Sequence, residues 1–161
     1  MKLKINREFL LRHLFSLAVF LVLGGWFGVD AFVRYPRADA RALYVSIEKS
    51  EPRDGFDLEA FKAQKTQTQR ILAAFALLAA AGVGIHLLCI ARFKFEFDDD
   101  GFTLGPKRFS YPEIKDVDMS KWEKKGILSV SVEGLRFSLD AWHHSGVKEF
   151  YSLVSEKKNM V

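Results

Sequence analysis

Apolar residues fall along this chain in three successive patterns: two unbroken runs, then strict alternation, then a helical stripe. Residues 14–29, LFSLAVFLVLGGWFGV, carry no charge. Residues 71–90, ILAAFALLAAAGVGIHLLCI, carry none either, and His86 is their one strongly polar side chain. A hydrocarbon core about 30 Å thick is crossed by roughly 20 apolar residues rising 1.5 Å each. The second run meets that length directly. The first meets it when extended through Phe9–Leu11 and Ala31–Val33, which leaves Arg12 and Asp30 near the two interfaces, where long side chains reach water. Two transmembrane helices are therefore expected, about 9–33 and 70–92. Between them Pro36, Pro52 and Gly55 predict irregular chain with a short helix around Ala38–Glu48. From Leu58 no breaker interrupts the path into the second run, and Asp57 suits an N-cap, so one helix over 58–92 is predicted, with a loop at 34–57.

At Phe93 the period changes to two. Phe93, Phe95 and Phe97 fall on one side of a strand, with Lys94, Glu96 and Asp98 on the other. Asp100-Gly101 supplies a turn pair that tolerates positive φ. Further strands are expected at Phe102–Leu104, Lys107–Tyr111 and Ile114–Met119, then at 127–132 (ILSVSV) and at Leu135–Leu139 beyond the Glu133-Gly134 reversal. The tail then turns helical. Val147, Phe150, Tyr151 and Val154 recur at i, i+3, i+4 and i+7, and Ser145 is the candidate N-cap of a helix over 145–158. The expected fold is that of an α+β membrane protein: a hairpin of two transmembrane helices (1–92), then an antiparallel β meander or partial barrel (93–161) closed by an amphipathic C-terminal helix.

The segments FEFDDDGFTLGPKRFSYPEIKDVD, GILSVSVEGLRFSL and VKEFYSLV resemble the bacterial pleckstrin-homology-like domains found beside membrane helices. In those, a DDG hairpin, an I-x-x-V strand and a final helix recur. Six strands are counted here where that fold has seven, so the seventh is either hidden near Lys121–Lys124 or missing. The resemblance implies an interaction or scaffolding module and carries over no catalytic residue.

The net charge of +4 is not a nucleic-acid signature. Residues 1–91 hold 12 Lys and Arg against 8 Asp and Glu, whereas residues 92–161 hold 12 of each. The excess thus lies in the membrane half, where basic residues set orientation and meet anionic lipid. Lys2, Lys4, Arg7 and Arg12 make the N-terminal flank the densest basic segment, which places both termini and the module in the cytoplasm. The start also resembles a signal peptide, with a small-x-small site at Ala38–Ala40. Its apolar stretch is longer than a signal's, and a retained anchor in the bacterial inner membrane is expected.

Gly24 and Gly28 form a GxxxG spacing, and Ala76, Ala80 and Gly84, extended by Ala73, form a small-residue stripe. The two stripes suit either a tight hairpin or contact with a partner's helix. His13 and His86 fall toward one leaflet of an antiparallel hairpin, as two axial ligands of a haem do; the alternative is an interfacial His13 and a His86 bonded within its own helix. His143-His144 reads as a surface turn, and Asp98–Asp100 as a hairpin tip lacking the further ligands of a calcium loop. Asp30 and Arg34 read as an interfacial ion pair. With the single cysteine, Cys89, in the second run, no intrachain disulfide and no cysteine-based metal cluster is possible. Neither a phosphate loop nor an HExxH is present.

Lys121, Trp122, Lys124 and Lys125 form a basic-aromatic patch suited to an anionic headgroup region or a partner protein, or else a solvated loop with Trp122 partly in the core. The expectation is a non-enzymatic, cofactor-free membrane scaffold. It is an accessory or assembly subunit whose partners are membrane lipid and other membrane-protein subunits. The alternatives are a small haem- or quinone-linked redox subunit using His13 and His86, and an immunity-type protein acting through its membrane helices.

Overall fold

The computed structural model describes residues 1–158 and is divided into two compact units, one formed by residues 14–85 and the other by residues 1–13 together with 86–158. A short strand β1 (Lys4–Ile5) comes first, then helix α1 (Arg7–Val29), which continues as a π-helical turn at Asp30–Arg34 and a final turn α2 (Tyr35–Arg37). Helix α3 (Ala40–Glu48) starts at Asp39, whose carboxylate accepts from the amide of Ala42 at 3.0 Å. Helix α4 (Leu58–Arg92) starts in the same way, with Asp57 accepting from the amide of Ala60 at 2.9 Å. Arg7–Arg37 and Leu58–Arg92 are each long and apolar enough to cross a membrane. Only 17% of the apolar window of each is buried within the protein, so the chain does not itself cover these helices as it would a core helix.

Within the 14–85 unit, α4 buries Ala73, Ala76 and Ala80. A Cβ on Gly24 would lie 2.8 Å from the Leu77 Cδ2 and 3.6 Å from the Ala76 Cβ, so this glycine sits at a close contact between the two helices. Beyond it, Asp30 is buried and accepts from Arg34 at 3.1 Å, one helical turn on. Tyr44 of α3 packs on Phe56 and Phe61, with both ring pairs at 4.9 Å, a small aromatic core beneath the loop.

The other unit holds eight strands in three sheets. Strands β2 (Phe95–Phe97), β3 (Gly101–Leu104) and β4 (Lys107–Ser110) form one; β5 (Asp116–Asp118), β6 (Ile127–Val132) and β7 (Leu135–Asp140) form the second; β1 pairs with β8 (His144–Ser145). All pairings are antiparallel. The expected meander is therefore interrupted, and no closed barrel forms. The break falls between β4 and β5, at a 3-10 turn over Tyr111–Glu113, where Pro112 has no N–H to carry the ladder onward. The first hairpin turns on Asp98, whose carboxylate accepts from the amides of Asp100 and Gly101, each at 3.1 Å, and from Arg108 at 2.8 Å. That guanidinium holds the Asp98 pKa below its usual value. The acidic triplet is a hairpin tip.

Residues 121–124 do not supply a further strand. Trp122–Lys125 is a helical turn, α5, closed by Gly126 in the left-handed region at φ 66°. Two strands beyond the expected six are present among the described residues, β1 at the start of the chain and β8, and they pair with each other. Lys4 and Ile5 pair with Ser145 and His144, Lys2 bridges to Glu96, and the Leu3 amide donates to the Phe95 carbonyl at 3.0 Å. The Phe97 amide in turn donates to the Met1 carbonyl at 2.7 Å. Leu3 is thereby buried in the same core as Phe95, Phe97, Phe102, Leu128 and Leu139.

Ser145 is consequently not an N-cap. It lies in β8, and the last helix, α6, runs Val147–Lys158 after Gly146, whose φ of 97° favours glycine. A Cβ there would also stand 3.0 Å from the Leu3 side chain. Val147, Phe150 and Val154 of α6 are all buried, and the Phe150 ring lies 4.9, 5.4 and 5.5 Å from those of Phe95, Phe97 and Phe102.

Candidate functional site

Because β1 is anchored on β8, the first turns of α1 are drawn against the chain around Trp142–His144. Asn6 donates its amide to the His143 carbonyl at 2.8 Å. Phe9, 1% exposed, becomes a hub: its ring centre lies 4.0 Å from His13, 4.9 Å from His143, 5.9 Å from His86 and 6.3 Å from Trp142. The Arg12 guanidinium sits 5.3 Å from the Trp142 ring, a cation–π contact. His86 lies 5.5 Å from His13 and 5.7 Å from His143, ring centre to ring centre, and His143 lies 6.3 Å from His144. All four histidines of the chain thus gather in one place.

The histidines differ in how they are held. His13 Nδ1 lies 2.9 Å from the Phe9 carbonyl. His143 Nδ1 lies 3.4 Å from the Asp140 carboxylate. His144, expected in a surface turn, is 93% buried; it bonds the Ile90 backbone, lies 5.2 Å from the Phe93 ring at a tilt of 44°, and leaves its Nε2 with no partner among the described residues. Burial, and secondarily the neighbouring His143, hold the His144 pKa below its ordinary 6.5. A group of this kind binds its proton more weakly folded than unfolded. Its contribution to stability is complete above 6.5 and declines as pH falls from there toward the lower folded value. NMR titration of the full chain is expected to place the His144 midpoint below 6.5. Tm should drop between pH 7.5 and pH 5, by a margin that His144→Phe narrows.

His13 and His86 do approach each other, but their surroundings do not suit a haem. A macrocycle between the two imidazoles would have to displace Phe9, whose ring centre lies 4.0 Å from His13 and 5.9 Å from His86. No group of three or more metal-ligating side chains is poised to hold an ion among the described residues.

The other candidates lie apart from this cluster. Lys121, Lys124 and Lys125 are exposed on and beside α5, while Trp122 is half-buried, its ring stacked 6.3 Å from that of Tyr151 on α6. The patch therefore presents three cations on a turn whose tryptophan is held down by the module. Gly24 lies at a close helix contact, whereas Gly28 has open space around it and Gly84 likewise. Sequence reasoning did not single out Phe9 or Trp142. The one available signal was the alternation of KLKI at residues 2–5, a strand period that draws both toward β8.

Comparison with known protein families, with characterised proteins and with solved structures returns no match to this chain.

Proposed function

We propose that this protein is a non-enzymatic membrane scaffold: two helices spanning the bacterial inner membrane, carrying a pleckstrin-homology-like module fixed at the cytoplasmic surface, where it engages another subunit of a membrane complex. The observation that carries this reading is the double attachment of the module. Its first full strand, β2, begins three residues after α4 ends, and β1, directly before α1, is paired into the same unit. The module is thus joined in sequence to the start of α1 and to the end of α4, two short connections where a tethered domain has one. The basic flank of residues 2–12 precedes the first apolar run, and its strand β1 is paired into the module's own unit, so the positive-inside rule favours the cytoplasm for both. Trp142 with Arg12 supplies an aromatic–cationic pair of the kind that sits at headgroup depth.

The docking face of this reading is α5. Lys121, Lys124 and Lys125 are exposed on and beside a turn that the Trp122–Tyr151 contact ties to α6, so an acidic partner surface meets three clustered cations. A photo-crosslinking residue at position 124 of the full chain, irradiated in intact native membranes, is expected to give one discrete protein adduct. Charge reversal at Lys121 and Lys125 should abolish it. Adducts to lipid alone would refute the subunit reading and leave a surface-binding module.

A further inference from the structure

The β1–β8 ladder joins two residue pairs, fewer than any other strand pairing in the module, and the four histidines of the chain gather around it. His143 precedes β8 and His144 begins it, while His13 and His86 meet them around Phe9. All of them lie within the unit of residues 1–13 and 86–158. We propose that this seam is a pH-sensitive latch: it stays closed while the imidazoles are neutral and opens locally, with the rest of the module folded, when acid charges them.

The buried ring nitrogen comes first. His144 pairs with Ile5 of β1, bonds the Ile90 backbone, and leaves Nε2 buried with no partner among the described residues. A neutral imidazole leaves one acceptor unpaired there. An imidazolium would instead hold a charged N–H with neither an acceptor nor water, which is far more costly. His144 therefore takes a second proton by reaching water. Of the strand pairings around it, the two-residue ladder to β1 has the fewest hydrogen bonds to give up, so it is the one that opens.

The surrounding charges act in the same direction. His143 lies 6.3 Å from His144, His86 lies 5.7 Å from His143, and His13 lies 5.5 Å from His86. From β1 and α1 come Lys4, Arg7, Glu8 and Arg12; from α4 come Cys89 and Arg92; from β7 comes Asp140. Glu8 is paired with Arg12, and Glu96 of β2 with Lys2. Asp140, 3.4 Å from His143, is thus the one carboxylate of these elements that faces the imidazoles among the described residues. Acid can charge more rings than it balances, and like charges about 6 Å apart repel. Burial first, and His143 second, hold the His144 pKa below its ordinary value. Support for the closed seam is therefore complete above 6.5 and declines as pH falls from there.

The test is hydrogen exchange of the full chain in nanodiscs at pH 7.5 and 5.5, with each rate divided by that of open coil at the same pH. The reporter is the Asn6 amide, which donates to the His143 carbonyl across the seam at 2.8 Å. An imidazole that charges only in the open form shifts the opening equilibrium about tenfold over this interval, so Asn6 protection should fall about tenfold. At pH 5.5 that protection should be insensitive to low urea, as a local opening is, while protection of Val130 in β6 declines with urea. His144→Phe, whose ring takes no proton, should leave a fall of less than about threefold. His143→Gln, at a half-buried position, removes the charge beside His144 without entering the core and should also shrink the fall; it decides the comparison should His144→Phe not fold. Constant Asn6 protection would overturn the proposal. So would a urea dependence at Asn6 matching that of Val130, which means opening by global unfolding, or an undiminished fall in the folded variants.

Discussion

Leu3→Asp is expected to unfold the β module of the full-length chain while both long helices remain in the membrane. Leu3 is 6% exposed and belongs to the core that Phe95 and Phe97 build. Removing a buried leucine costs about 2–5 kcal/mol. An unpaired carboxylate placed there adds several kcal/mol more, or forces the strand out into water. Against a margin of about 5–15 kcal/mol for a typical domain, that loss opens the unit. Near-UV circular dichroism of the protein in detergent should lose its aromatic signal, while the far-UV helical signal largely persists. Leu3→Met, which keeps volume and apolarity, should cost less than about 1.5 kcal/mol.

Phe150→Ala should be nearly as severe, for a different reason. Phe150 is 0% exposed and lies within about 6 Å, centre to centre, of three further phenylalanines from two strands. Truncation there leaves a cavity that rigid β strands cannot close, at about 3–5 kcal/mol. Chemical denaturation followed by Trp122, which reports from beside Tyr151, should show a lower midpoint with little change in slope. An unmoved midpoint would mean that α6 does not close the core.

Much of this architecture was legible in the sequence because it is local. Charge-free runs, the period-two spacing of Phe95 and Phe97, and the stripe Val147, Phe150, Val154 each announce an element within a dozen residues. What escaped was non-local or too short. KLKI at residues 2–5 alternates as a strand should, but its lysines precede an apolar run and so read as the flank of a membrane anchor. Its partners, Glu96 and His144–Ser145, lie some ninety and a hundred and forty residues away. The four-residue turn WEKK is shorter than any period can reveal. Part of the histidine cluster depends on that same missed strand: an antiparallel hairpin already brings positions 13 and 86 toward one leaflet, but 143 and 144 carry no signal toward them until β1 pairs with β8. His144 in particular is a core residue and not part of a surface turn, with β1 paired on one side and Phe93 and the Ile90 backbone against its ring.

The first five residues are part of the folded module. Residue-resolved hydrogen exchange of the full chain in nanodiscs addresses that directly. The Leu3 and Phe97 amides, each donating across the β1–β2 seam, should exchange as slowly as the Val130 amide at the centre of β6. Exchange at Leu3 and Phe97 at the rate of open coil, with Val130 still protected, would contradict it.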